Sequence, residues 1–139
     1  MDLNMALTSA DEAGRQKKKE YQDSGVRPYD YFHDLLGGRW KIYIIRGIQQ
    51  QGSIRFNETK RVLGISGRSL QTQLRALEND GLIIRKEYPG LPLHVEYELT
   101  PIGKELIPVI DSIYKWTRKV MQERNISEAV LSPEFHKGI

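Results

Sequence analysis

Apolar positions first recur at helical spacing in RPYDYFHDLLGGRWKIYIIRGI, where Tyr29, Phe32, Leu35 and Leu36 share one face. Pro28 suits the first turn of that helix, and Gly37-Gly38 ends it. Trp40, Ile44, Ile45 and Ile48 then carry a second helix. QQQGSIRF reads as a helix end, a turn and a short strand. NETKRVLG predicts a brief third helix, with Val62 and Leu63 inward and Lys60 and Arg61 nearer water. In GISGRSLQTQLRALENDGLI, Leu70, Leu74 and Leu77 are spaced to face a core. Ser66 suits the N-cap of this fourth helix and Gly81 the left-handed residue that ends it. LIIRKEY and HVEYELT are rich in β-formers, and Pro89, Gly90 and Pro92 between them predict a hairpin with a loop longer than a tight turn. Thr100-Pro101 places a capping hydroxyl before a first-turn proline, opening a long helix to about Asn125. Along it Ile102, Leu106, Val109, Ile113, Trp116 and Val120 recur at spacings of three and four. The early positions of this seam are expected to cover the subunit's own core, and Ile113, Trp116 and Val120 to extend beyond it. Pro108 removes a backbone donor inside the helix and predicts a bend near Lys104. Residues 1–24 lack a sustained apolar period and predict a mobile N-terminal tail, 25–125 form the folded domain, and 126–139 predict a second tail.

Two short helices joined by a tight turn and followed by a hairpin match the winged helix-turn-helix plan, so the expected class is mainly α with a small β-hairpin and a long C-terminal helix. The fourth helix carries an unusual front end. Ser66, Gly67, Arg68 and Ser69 are small or basic, and Arg68, Thr72 and Arg75 oppose the leucine stripe. A helix that enters the major groove presents its N-terminal end and one polar face. Small residues there let the backbone approach, and the unpaired N–H groups attract phosphate. Arg68 and Arg75 can read guanine or hold phosphate, Gln71 can pair with adenine, and Thr72 can touch a thymine methyl.

Charge placement strengthens this reading. The whole chain of 139 residues carries only +3. Ser53 to Arg75 alone holds five basic residues (Arg55, Lys60, Arg61, Arg68, Arg75) against one acid, Glu58. The excess therefore sits where the polar helix face is expected. Hydrophobic residues make up 39% and charged residues 28%, enough for one domain with a core. The absence of cysteine excludes disulfides, thiolate metal sites, a Cys nucleophile and thiol redox sensing. No apolar run approaches the ~18 residues of a membrane span, and the N-terminus lacks a secretory-type apolar core, so a cytoplasmic protein without membrane contact is expected.

The remaining constellations point away from catalysis. Glu96 and Glu98 alternate on one side of a strand, but nothing near them in sequence supplies a nucleophile or metal, and a solvated strand face is the expectation. His33, His94 and His136 are far apart and form no ligand-like pair. His94 falls at the expected wing, where phosphate contact and a plain surface histidine are equal alternatives. Gly37-Gly38-Arg39 lacks the phosphate-loop pattern and reads as an interhelical turn, with Arg39 and Lys41 near DNA backbone. Tyr31, Trp40, Tyr43 and Trp116 suit core or dimer packing better than an effector pocket. No metal or cofactor is expected.

LLGGRWKIYIIRGI, IRFNE, ISGRSLQTQLRALENDGLI, YPGLPLHVEYELTPIGKEL and PVIDSIYKW together resemble the HxlR-type winged-helix transcription regulators over residues 27–117. The resemblance implies a homodimer on a pseudopalindromic operator in double-stranded DNA. Residues 66–80 would enter the major groove, the loop near Gly90–Val95 would form the wing, and the terminal helices would pair the subunits. On that basis the expected DNA contacts are Arg55, Lys60, Arg61, Ser66, Arg68, Ser69, Gln71, Thr72, Arg75 and His94. The expected dimer contacts are Tyr29, Phe32, Ile113, Trp116 and Val120. Two departures stand out. Many relatives carry Cys-Pro where this chain has Arg27-Pro28, so a thiol switch does not transfer, and Gln73 replaces a residue that is often basic. The sequence leaves a small-molecule effector open. A winged-helix adaptor that binds protein is the alternative function, and a small enzyme is the weaker rival.

Overall fold

The computed structural model describes residues 21 and 24–129. Residues 1–20 and 130–139, which hold most of the two expected tails, lie outside the described residues. The elements run α1 (Pro28–Leu36), α2 (Lys41–Gln51), α3 (Phe56–Leu63), α4 (Gly67–Asn79), β1 (Ile83–Tyr88), β2 (His94–Leu99), α5 (Pro101–Glu105) and α6 (Ile107–Glu123). Pro28 occupies the first turn of α1 as its fixed φ requires. Tyr21 donates its hydroxyl to Asp34 of α1, and that hydrogen bond pushes the phenol up to about 12.

The core is one cluster. Ile44, Ile45 and Ile48 of α2 meet Leu70, Leu74 and Leu77 of α4, with Leu63, Ile65, Ile83, Tyr97 and Ile110 closing around them. The three leucines are at most 1% exposed, so their stripe fixes the rotation of α4. Between α3 and α4, Gly64 adopts φ 64°. An L side chain there would be strained, and this left-handed step lets Ile65 turn inward to 7% exposure. Gly81 follows α4 with φ 74°, and the Leu82 amide reaches back to the Leu77 carbonyl at 3.0 Å.

β1 and β2 pair antiparallel, with Ile83 opposite Leu99 and Tyr88 opposite His94. The short strand expected in QQQGSIRF is a single bridge. Ile54 exchanges both backbone hydrogen bonds with Tyr97, at 3.0 and 2.9 Å, on the edge of β2 away from β1. The hairpin is thereby anchored to the segment that leads into α3.

Two close contacts join the hairpin to the C-terminal helices. Thr100 accepts from the Gly103 amide at 3.2 Å, capping α5, and its hydroxyl donates to the Gly81 carbonyl at 2.6 Å. Gly103 is buried against the Leu82 carbonyl, where any Cβ would collide with backbone. The expected bend appears as a break at Leu106, between α5 and α6. Pro108 has no N–H for the Lys104 carbonyl, so the helix cannot continue unbroken there.

This break corrects the expected division of the long seam. Ile102 is 57% and Val109 46% exposed, so of the early seam positions only Leu106 packs against the subunit's own core. Ile107 and Ile110, which lie outside the seam, complete that packing. The interruption at Leu106 resets the helical phase, and Ile102, Val109, Ile113 and Trp116 are left outward. Tying α6 to α2 is an ion pair that the apolar pattern did not indicate. Arg46 Nη1 lies 2.6 Å from Asp111 Oδ1, with the arginine side chain 8% exposed. Arg46 Nε has no acceptor among the described residues, so Asp111 supplies essential compensation for this buried charge.

Replacing Gly103 by alanine should lower unfolding free energy by about 1–3 kcal/mol, because the added methyl must displace the Leu82 backbone. Asp111→Ala should cost about 2–3 kcal/mol, less than the full penalty of breaking a buried pair because Asp111 is one-third exposed. Urea unfolding followed by circular dichroism measures both, and wild-type midpoints would show that neither contact matters.

Candidate nucleic-acid interface

The start of α4 is built as its sequence dictates. Ser66 Oγ accepts from the Ser69 amide at 3.1 Å. The Gly67 and Arg68 N–H groups have no acceptor within the helix and remain at its positive end. Gly67 sits against the Phe56 ring and the Lys60 stem, where a Cβ would come within 3.7–3.8 Å of both. This brings the basic end of α3 beside the nose of α4.

The expected contact residues fall into two groups. Arg55, Lys60, Arg61, Ser66, Arg68 and Thr72 are exposed. Ser69, Gln71, Arg75 and His94 are half-buried, and Arg75 already interacts within the chain. Thr72 donates its hydroxyl to the Arg68 carbonyl at 2.9 Å, a local side-chain-to-backbone bond within the helix. Arg39, expected near DNA backbone, lies over the Trp40 ring at 4.9 Å.

At the hairpin the structure adds partners that spacing alone did not show. Arg55 Nη2 lies 3.0 Å from His94 Nε2, and Glu96 Oε1 lies 3.1 Å from the same nitrogen. Lys86 Nζ lies 2.5 Å from Glu98 Oε2, and this hydrogen bond raises the lysine above its ordinary pKa. The expectation of a merely solvated Glu96–Glu98 face is corrected. Both carboxylates are half-buried and each faces a basic group. Alternation puts His94, Glu96 and Glu98 on one face of β2 with Tyr88, Lys86 and Ile84 of β1 opposite, so Lys86 reaches Glu98 diagonally and His94 reaches Glu96 along its own strand. The arrangement places two basic side chains, two carboxylates and a histidine on one face.

Elsewhere, Tyr31 packs edge-on against Tyr21 at 5.2 Å, and Trp40 lies 6.1 Å from Tyr43. The expected dimer residues remain open in the single chain. Tyr29 is 92% exposed and Trp116 67%, with Phe32 and Ile113 also exposed and Val120 half-buried. Among the described residues no group of His, Asp and Glu could hold a metal ion, and no helix is long and apolar enough to cross a membrane.

The model of the HxlR-like helix-turn-helix family matches residues 35–125. The chain belongs to that family. It is 43% identical over 101 residues to the HTH-type transcriptional regulator BH0655 of Halalkalibacterium halodurans, covering 72% of this chain and 87% of that protein. Among solved structures it is similar to the redox regulator HypR in its oxidised form, at 33% identity and a TM-score of 0.63, over 75% of this chain and 100% of that one. The reduced form of the transcriptional regulator YodB from B. subtilis matches at 31% identity and a TM-score of 0.58, over 66% of this chain and 90% of that one. This HxlR-like protein is accordingly a transcriptional regulator with a helix-turn-helix DNA-binding fold, and the family and its neighbours are regulators rather than enzymes.

The cap and the exposed arginine should separate by readout. Ser66→Ala should cost about 0.5–2 kcal/mol of stability through the lost cap. Arg68→Ala should leave thermal stability unchanged and weaken specific DNA binding by about 1–3 kcal/mol. Melting curves and titrations against a selected DNA site test both. Full affinity and specificity in Arg68→Ala would place the reading face elsewhere.

Proposed function

We propose that this HxlR-like chain acts as a homodimer that binds a pseudopalindromic operator, with α4 of each protomer in successive major grooves. The observation that carries this reading is the rotation of α4. Its leucine stripe is fully buried, which turns Arg68 and Thr72 outward beside the exposed Lys60 and Arg61. Those side chains supply base contacts and phosphate contacts from one surface. Ser66, Ser69, Gln71 and Arg75 lie on the same helix, while Arg55 and His94 extend the surface toward the hairpin.

Dimerisation is supported by the apolar side chains left open on α1 and α6. Tyr29, Phe32, Ile113 and Trp116 are costly to expose, and each side chain fully buried against a partner contributes about 1.5–3 kcal/mol before ordering costs. A two-fold dimer then spaces the recognition helices for half-sites about one DNA turn, ~34 Å, apart. Residues 25–125 constitute the working unit, and its place of action is the cytoplasm, where the DNA is. Selection of bound fragments from randomised duplexes tests the operator reading. Recovery of no common sequence would favour a protein-binding adaptor instead.

Specific binding should fall steeply with salt. With ~6–8 phosphate contacts per dimer, the log–log slope should be about −5 to −7. A slope near −1 would remove the electrostatic role of α3 and the hairpin. Sedimentation equilibrium should show a wild-type dimer, and Ile113→Asp with Trp116→Ala should give a monomer or an unfolded chain. A stable dimer of the double variant would take α6 out of the interface. Diamide should leave operator binding unchanged, because the chain has no thiol.

A further inference from the structure

Arg55, His94 and Glu96 form a cluster whose hydrogen bonds depend on one proton. Arg55 is in the N-cap position of α3 and His94 opens β2, so the contact spans two elements. The Ile54–Tyr97 bridge sets the register, and antiparallel pairing then places Arg55 opposite Glu96 with both side chains on one face. His94 Nε2 lies 3.0 Å from the Arg55 guanidinium and 3.1 Å from the Glu96 carboxylate.

A guanidinium only donates and a carboxylate only accepts. Nε2 therefore serves one partner at a time. When the ring is neutral with its proton on Nδ1, Nε2 accepts from Arg55 and holds the guanidinium against the hairpin. When the ring is protonated, Nε2–H donates to Glu96, and the imidazolium repels Arg55. We propose that Glu96 is a positioning residue which, through His94, makes the placement of Arg55 and hence DNA affinity depend on protonation. The proposal rests on the operator reading above and adds a regulation to it.

The direction follows from charge. Protonation adds one positive charge per protomer and frees an exposed arginine at the surface assigned to phosphate. DNA therefore binds the protonated form more tightly, and affinity rises as pH falls through the histidine range. The other groups around the ring do not replace this proton. The Tyr88 ring stands edge-on at 5.3 Å, and Lys86, which stands opposite Glu96, is paired with Glu98. Arg85 pairs with Glu87 in the alternate positions of β1, on the other face.

The full-length protein is tested with a duplex recovered by selection, between about pH 8 and pH 5.5. Affinity at constant salt should rise on the order of tenfold, within the usual range of linked equilibria. The salt slope should steepen by about 0.9 for each additional phosphate neutralised, so by about 1.8 in a dimer. His94→Gln keeps an acceptor for Arg55 but cannot titrate, and its profile should be flat. Glu96→Gln should move the profile to lower pH, whereas Glu96→Asp should retain the wild-type direction. In free protein, nitrogen chemical shifts of His94 should show the proton on Nδ1 at about pH 8. A proton on Nε2 in that state, or a profile unchanged by His94→Gln, would overturn the proposal. Correct ring shifts with no specific complex at either pH would overturn it through the operator reading alone.

Discussion

Leu70, Leu74 and Leu77 fill the centre of the core, and their burial sets how α4 is turned about its own axis. Side chains three, four and seven positions apart share a side of a helix, so hiding these three commits Arg68 and Thr72 to the opposite side. The small front end has its own local causes. Ser66 caps the helix, and Gly64 supplies the left-handed step that delivers the chain from α3. The candidate DNA-binding face is thus a consequence of core packing rather than a separate construction.

The same core reaches the C-terminal helices through short-range contacts. Gly103 packs against the Leu82 carbonyl, Thr100 bonds the Gly81 carbonyl, and Arg46 of α2 is neutralised by Asp111 of α6. These contacts hold α5 and the first turns of α6 to the body of the domain while the outer apolar stripe stays free. In the proposed dimer, a rigid link of this kind would set the spacing of the two α4 helices. The break at Leu106 decides which residues make that link and which remain outward.

The hairpin contributes charge in a different way from α4. Its acids are matched to basic groups across strands and across elements, with Lys86 on Glu98 and His94 between Arg55 and Glu96. Cations held this way are positioned by the carboxylates that partner them. Local charge at the hairpin therefore depends on contacts between residues 39 apart in sequence.

The sequence by itself determined the helices, the hairpin, the caps at Ser66 and Thr100, and the leucine stripe of α4. These follow from spacing, backbone preference and local hydrogen bonds, all of which act within a few residues. The polar face of the candidate site was legible for the same reason, since it is the complement of the stripe. Tertiary structure alone decided the Arg46–Asp111 pair, the Arg55–His94–Glu96 cluster and the half-buried state of Arg75. It also decided that Ile102 and Val109 face outward, against the division of the seam read from spacing. A periodic seam specifies a face but not its partner. Where a proline breaks the helix, the phase after the break is set by packing against α2, which no local pattern encodes.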